Sequence, residues 1–359
     1  MITATPRSVR EGSGTYVASA VLPRALEDLG HEVRLVCPPR TGGPLGYTVQ
    51  RFLFNWGLRP GMFHEADAVV GWDMDGFLLA GRLASPFVAY IHGQLAEEAS
   101  FERGVVAATM KLQARAEQVS VRKADHVITV SERSRRRIAE LYGVSLERIE
   151  AIPPPFDLAR WQAALDSAGP RPDDRPTVLS VAHMYRRKNL ASLIRAAAIL
   201  RRRVPDVRVV IVGTGPEYER LVRLAESLEL RSIVEFTGQI GFRALRDAYA
   251  HCDVFCLPSL QEGFGLVFLE AMAAGLPIVA CRDTAAEELI EDGVSGILVG
   301  QHDDHALAHA LADLLEEADP RRAMGAEAET RVGTYTAETT AKRFVAAVSR
   351  CARRQQVRS

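Results

Sequence analysis

From residue 177 onward, short apolar runs alternate with longer stretches of helical spacing. The runs at 178–181, 207–212, 233–236, 254–257, 278–281 and 297–299 are nearly uninterrupted and rich in Val, Ile and Leu. Strands buried on both faces show this pattern, and parallel sheets are built from them. The intervening stretches suit helices, so 177–335 predicts a doubly wound parallel sheet. The first half repeats the alternation less cleanly. Strands are expected at 66–72, 86–91 and 125–130, with a buried strand at 32–37 after the helix stop at Gly30. Helical patterns cover 16–29 and 97–123, and Ser131 caps another helix. Residues 2–5 suggest the tail of a first strand, too short and polar to be central, which leaves an upstream start or a truncated strand open. Residues 38–62, rich in Gly and Pro with scattered aromatics, suggest an irregular excursion.

A Pro- and Asp-rich stretch, DSAGPRPDDRP at 166–176, marks a domain boundary. The expected organisation is a first domain over 1–165, a linker over 166–176, a second domain over 177–335 and a final amphipathic helix over 336–353. A length of 359 residues accommodates two domains of ordinary size. The net charge of -1 excludes the global basic footprint of a nucleic-acid binder. Five scattered cysteines, without a CxxC pair or metal-spaced cluster, fit buried thiols in a reducing cytoplasm. No apolar run is long enough to span a bilayer. Arg133, Arg135, Arg136 and Arg137, with Lys111, Arg115, Arg122 and Lys123, offer a basic face for an anionic acceptor or the inner membrane surface. A solvated face balanced by Glu117, Glu132 and Glu140 is the plainer alternative.

The chemistry concentrates at 258–281, PSLQEGFGLVFLEAMAAGLPIVAC. A strand runs into a short polar turn, then Gly263, Phe264 and Gly265, whose glycines let backbone approach a ligand. A helix starts at Leu266, and Gly275 and Pro277 stop it. A helix start presents unpaired N–H groups and partial positive charge, which suits phosphate. Glu262 precedes those donors, and Glu270 lies one turn in, on the face of Leu266. Carboxylates beside a phosphate site are repelled unless they bind hydroxyls. The pair therefore suggests a ligand with both phosphate and polyols, such as a nucleotide-sugar; the plain alternative is two solvated helix-end charges.

Elsewhere the pattern leaves choices open. Gly12 to Thr15 before a helix is either a phosphate cradle or a helix-opening turn. Asp73-Met74-Asp75 after a strand is either a divalent-metal pair or, preferably, a turn with Asp75 capping a helix from Gly76. His92, at a strand's carboxyl end, points into the crevice where α/β sheets bind ligands, or caps a loop.

Glu262 and Glu270, with EGFG between, resemble the E-x7-E signature of retaining glycosyltransferases of family GT4. The likeness extends to GHEV at 30–33, to Ile152, Pro153 and Asp157 of IPPPFD, to GTGP at 213–216, and to Glu288, Gly293 and Gly296. It departs at Pro154 and Pro155, where Asn and Gly are usual, and at Thr284 and Ala285, which replace glycines. His183 stands where the family has Arg and cannot make the bidentate fork. The resemblance implies the GT-B fold: two Rossmann-like doubly wound α/β domains facing each other across a cleft.

It also implies transfer of a sugar from a nucleotide-diphosphate donor to an acceptor hydroxyl with retention of configuration. Gly14, His183 and Lys188 would meet the donor diphosphate, and Glu262 and the 263–265 backbone the sugar. Leu266 would complete the donor site, Glu270 would bind the ribose, Gln239 and Ile240 the base, and His92 would line the transferred sugar. No metal or other cofactor is expected if cations neutralise the diphosphate. The acceptor, whether glycan, lipid-linked or small molecule, is not legible. The rivals are a nucleotide-sugar epimerase of the same fold and a non-catalytic nucleotide-sugar-binding module. A NAD-dependent enzyme is the weakest, because no full GxGxxG follows a strand.

Overall fold

The structure, a computed structural model, describes residues 1–5, 14–38 and 44–356. It divides into two compact units, one of Met1–Phe156 with Ala337–Ser359, the other of Asp157–Thr336.

The first unit begins with α1 (Gly14–Asp28) and α2 (Pro44–Gly57). There follow β1 (Val69–Trp72), β2 (Phe87–Ile91), α3 (Leu95–Phe101), α4 (Gly104–Lys123), β3 (His126–Thr129), α5 (Glu132–Tyr142) and β4 (Ile149–Ala151). The strands pair in parallel in the order β1-β2-β3-β4. Every residue of β1 and β2 is buried, as expected of a sheet covered on both faces.

Several expectations are corrected in this unit. Ile2 is central: it bridges in parallel to both Val36 and Gly71 and is fully buried. Its N–H donates to Val70 O at 2.8 Å and its carbonyl accepts from Trp72 N at 3.1 Å. Backbone pairing satisfies the polarity that seemed to disqualify this segment. The stretch 32–37 joins through a single bridge at Val36 rather than a full strand. The pattern at 97–123 breaks into α3 and α4, because Glu102 and Arg103 are extended and Gly104 has φ +58°. No helix starts at Gly76, since residues 73–82 form consecutive turns.

The region 38–62 is not simply irregular, because α2 occupies most of it. Its polarity runs inward. Thr48, Arg51 and Asn55 are buried, whereas Val49, Leu53 and Trp56 are 55, 56 and 60% exposed. The inward face meets Asp75, flanked by half-buried Phe54 on the apolar core and Phe52 on Phe77. Arg51 Nε donates to Asp75 Oδ1 at 2.9 Å and Nη2 to Oδ2 at 3.1 Å. Asn55 Nδ2 and Ala4 N supply further donors at 3.0 and 2.6 Å. Gln113 of α4 accepts from Arg51 at 3.1 Å and donates to Thr48 at 3.3 Å. Asp75 is thus the centre of a buried network and caps no helix. Glu117, expected on a solvated face, is fully buried. It accepts from Leu95 N at 3.1 Å and from the Tyr142 hydroxyl.

The second unit holds α6 (Leu158–Asp166), β5 (Thr177–Val181), α7 (Leu190–Leu200), β6 (Arg208–Val212), α8 (Tyr218–Ser227), β7 (Val234–Gly238) and α9 (Phe242–Ala250). It continues with β8 (Val254–Leu257), α10 (Leu266–Ala273), β9 (Ile278–Cys281), α11 (Ala286–Leu289), β10 (Gly296–Val299), α12 (Asp304–Glu316) and α13 (Ala318–Val332). The six strands form one parallel sheet in the order β10-β9-β8-β5-β6-β7. Cys256 and Cys281 lie buried in β8 and β9, and burial pushes the Cys281 thiol up to about 12.

The unit starts earlier than the sequence suggested, which moves the boundary from 165 to 156. Trp161 of α6 packs edge-on against Phe242 and Tyr249, with centroids 5.4 and 5.5 Å away. The stretch 166–176 is pinned to the same unit. Arg171 makes a bidentate pair with Asp253 at 3.0 and 2.8 Å, and Arg175 donates to Asp206, Val207 and Ser232 carbonyls.

The last helix, α14 (Ala337–Gln356), groups with the first unit. Phe344 packs on Tyr90 at 5.3 Å, and Arg343 donates to Ala151 O at 2.7 Å.

Candidate active site

The strand order of the second sheet reverses between β5 and β8, which pair through Val178 with Val254 and Leu179 with Phe255. Open α/β sheets bind ligands outside the carboxyl ends of strands at such a switch point. Two loops leave the sheet there. The loop after β5 runs through exposed His183 into a 3-10 turn over Arg186–Lys188. The loop after β8 runs through Ser259 and Glu262 into α10.

The two loops are tied together. Leu260 N donates to Arg187 O at 2.7 Å, and Lys188 Nζ donates to Glu262 Oε2 at 2.6 Å. Ser259 Oγ reaches the same oxygen at 3.3 Å. Lys188 and Glu262 keep 13 and 11% of their side-chain surface exposed, so the pair is largely shielded yet accessible. Gly265 precedes α10 at φ +92°, and no side chain caps the helix. A Cβ on Gly265 would stand 2.5 Å from the Phe268 ring and 3.3 Å from Glu262 Cγ, so glycine alone fits both the dihedral and the space. Phe264 is buried edge-on to Tyr335 at 5.8 Å, which fixes the loop from beneath.

The loop after β6 supports this arrangement. Gly213, at φ +125°, lies so close to Ala182 that a Cβ would stand 2.1 Å from its carbonyl oxygen. Met184 N donates to Thr214 O at 2.9 Å, and Arg186 pairs with Glu217 at 3.2 Å.

Glu270, one turn into α10, accepts from the Tyr249 hydroxyl at 2.8 Å through Oε2. Burial pushes its carboxyl up to about 7, and the hydrogen bond from Tyr249 offsets only part of that. The chain thus brings Lys188, Glu262, Gly263, Phe264, Gly265, Leu266 and Glu270 together at one helix start. Gln239 and Ile240 follow β7, at the same end of the sheet but two strands from β5.

The first unit carries the other expected residues. Gly14 opens α1, and residues 12 and 13 of its glycine loop lie outside the described residues. His92 follows β2 with 11% of its side chain exposed, against the rings of Trp72 and Tyr90 at 5.2 and 4.2 Å. Its backbone N–H donates to Asp73 Oδ1 at 2.9 Å, and its Nδ1 lies 3.6 Å from the same oxygen. Burial would raise the Asp73 carboxyl, but His92 and then Arg51 carry it below the usual carboxylate range. Asp73 therefore positions the His92 loop. Since four donors already crowd Asp75, the Asp73-Met74-Asp75 segment is a poor metal pair. Among the described residues, no group of three His, Cys, Asp or Glu side chains is placed to hold a metal ion.

Sequence reasoning missed Tyr249 and the partner role of Asp73. Tyr249 lies on α9, 21 residues before Glu270, and only packing joins them. The signal for Asp73 was its place directly after β1, where a turn with Asp75 as a helix cap was the preferred reading and a metal pair the alternative.

Comparison with known proteins identifies the family. Residues 162–331 match the model for glycosyl transferases group 1, and residues 12–160 match that for glycosyltransferase family 4. The chain belongs to glycosyltransferase family 4. It is 40% identical over 212 residues to a GDP-mannose-dependent alpha-(1-6)-phosphatidylinositol monomannoside mannosyltransferase of Mycolicibacterium smegmatis, covering 56% of this chain and 55% of the relative. It is 33% identical over 238 residues to a D-inositol 3-phosphate glycosyltransferase of Nocardia farcinica, covering 63 and 52%. The chain thus spans about half the length of the curated relatives it matches. Among solved structures, sucrose-phosphate synthase of Thermosynechococcus elongatus superposes with a TM-score of 0.80 at 22% identity, covering 100 and 98% of the two chains. WaaG, a glycosyltransferase involved in lipopolysaccharide biosynthesis, gives 0.70 at 19%, covering 94 and 96%. These likenesses show the GT-B fold.

Proposed function

We propose that the protein is a retaining hexosyltransferase that moves a sugar from a nucleotide-diphosphate donor to an acceptor hydroxyl. The observation that carries this reading is the Lys188–Glu262 pair at the sheet's switch point, beside the uncapped start of α10. Lys188 spends one of its three N–H donors on Glu262 and has two for a diphosphate. The first-turn N–H groups of α10 add partial positive charge. Glu262 gives Oε2 to Lys188 and Ser259, which leaves Oε1 to accept from a sugar hydroxyl.

Glu270 takes the ribose. Its raised pKa keeps much of it neutral near pH 7, which reduces its repulsion of the nearby phosphates. The sugar–phosphate C–O bond breaks as diphosphate charge grows towards Lys188 and α10, the acceptor oxygen forms its bond on the same sugar face, and the hydroxyl proton passes to the departing diphosphate oxygen. The interactions that strengthen as this charge grows are those that accelerate transfer. The acceptor and His92 are assigned to the first unit, and Gln239 and Ile240 to the base. No metal is required, because Lys188 and the helix start supply the positive charge; undiminished turnover in excess EDTA is the expected outcome.

GDP-mannose, named for the mycolicibacterial relative, is the first donor to test, with inositol phosphates and phosphatidylinositol mannosides as acceptors. Incubation with GDP-, UDP- and ADP-sugars should give nucleoside diphosphate only when acceptor is present, with the product anomer matching the donor. Isomerised sugar without release identifies an epimerase, and binding without turnover identifies a binding module.

A further inference from the structure

Given that Glu270 takes the ribose, as the proposed function has it, we propose that Tyr249 makes the donor site selective for ribose: it holds Oε2 of Glu270 and so keeps Oε1 available as an acceptor for the ribose hydroxyls. Tyr249 lies on α9, wholly buried, and its hydroxyl donates to Glu270 Oε2 at 2.8 Å. The ring is fixed on two sides. It stacks on Phe255 of β8 at 5.7 Å and meets Trp161 of α6 edge-on at 5.5 Å. Trp161 in turn donates from Nε1 to the Glu270 carbonyl oxygen at 3.0 Å. Two buried aromatic side chains thus hold the backbone of Glu270 and one of its carboxyl oxygens. Among the described residues none donates to the other oxygen, Oε1.

Ribose hydroxyls need an acceptor that stays an acceptor whether or not Glu270 carries a proton, and the Tyr249 hydroxyl supplies that constancy. With Glu270 ionised, the hydroxyl donates to Oε2, and Oε1 accepts from the ribose. With Glu270 neutral, the carboxyl proton sits on Oε2 and is donated to the Tyr249 oxygen. The phenol proton then turns to Val267 O, 3.4 Å away. Oε1 is now the carbonyl oxygen and still accepts. Burial, then the charge of Glu270, holds the Tyr249 hydroxyl well above the ordinary phenol range, so it keeps its proton throughout. Without the hydroxyl, Oε2 would lie against the aromatic rings with no donor. The carboxyl would then turn or carry its proton on Oε1, and either change weakens the ribose contact.

To test this, GDP, UDP and ADP are each titrated by calorimetry against the full chain beside their dideoxyribose forms, which keep the diphosphate and lose both free ribose hydroxyls. The wild type should prefer the ribose form roughly tenfold or more. Tyr249→Phe keeps the ring and its stacking. It should cut that preference roughly threefold or more while binding the dideoxyribose form as wild type does, which also shows that the variant is folded. Equal weakening of both forms would mark a packing fault alone and overturn the proposal. Glu270→Ala should remove the preference, and adding Tyr249→Phe to it should change nothing further. If Tyr249→Phe keeps the full preference where Glu270→Ala has lost it, the proposal falls and the ribose assignment stands. A wild type without the preference, or a preference that survives Glu270→Ala, overturns both.

Discussion

The two units share a parallel α/β plan but distribute polarity in opposite ways. The second keeps closer to the simple rule, with six apolar strands inside and Lys188 and Glu262 paired at the strand ends, although Arg246 and Glu217 are also buried. The first buries charge within its framework. Arg51 and Asp75 form a shielded pair beneath α2, and Glu117 lies wholly inside with Tyr142. A buried ion pair contributes little net stability, yet breaking it is costly, because the remaining charge is left without compensation. The first unit should therefore be sensitive at polar positions where the second is sensitive at apolar ones.

The largest expected effect breaks that contrast directly. Asp75→Ala leaves the Arg51 guanidinium only the more distant carboxylate of Asp73, 3.8 Å away, and should cost about 3 kcal/mol, read by urea denaturation. Nucleoside diphosphate binding by the second unit should persist in the native fraction. A loss under about 1 kcal/mol would mean that Asp75 is no keystone.

Next in size is a pH effect with one carboxyl in each unit. Folded Glu270 holds its proton up to about 7, whereas the unfolded chain releases it near the ordinary value of 4.5. Between those limits the folded state binds more protons, so stability is greatest at low pH and falls as pH rises through 7. The fall should approach about 3 kcal/mol, and Glu270→Gln should remove it. Burial, then the charge of Asp73, raises Glu117 in the same sense. Glu117→Gln should remove a decline of the same sign from the first unit, visible as altered hydrogen exchange in α4 and α5 rather than near α10.

At the donor site, Glu262→Gln should lower kcat about a hundredfold, or about 2.7 kcal/mol, because its contact with the sugar strengthens as charge develops. Glu270→Gln should raise the donor KM with kcat nearly intact. The reverse split would exchange the two roles. The smallest effect concerns His183. His183→Arg restores a bidentate donor and should tighten nucleoside diphosphate binding roughly severalfold; no change would separate His183 from the diphosphate.

What was legible in the sequence follows the same divide. All six strands of the second sheet stood out because a strand covered on both faces needs an unbroken apolar run, and β8 and β9 coincide with 254–257 and 278–281. The helix start at Leu266 was equally clear, because Gly265 and the Gly275 stop leave few alternatives. Ile2 was misjudged because its strand partners, Val36 and Gly71, are distant in sequence. The helix α2 was missed because its most buried residues, Thr48, Arg51 and Asn55, are polar, while Val49, Leu53 and Trp56 are exposed, so apolar periodicity marks no single inner face. Tyr249 and Asp75 could not be found from local pattern, since their roles arise only when separate elements pack. The stretch 166–176 resembled a free linker, but Arg171 and Arg175 bind it to the second unit.

In the proposed function, one helix start in the second unit holds a diphosphate through Lys188 and a sugar through Glu262. Calorimetric titration of nucleoside diphosphate and intact nucleotide-sugar against wild type, Lys188→Ala and Glu262→Gln tests it most directly. Lys188→Ala should weaken both ligands by roughly tenfold or more, while Glu262→Gln should bind the diphosphate nearly as wild type and lose only the increment due to the sugar. Diphosphate binding by Lys188→Ala at wild-type affinity would contradict it.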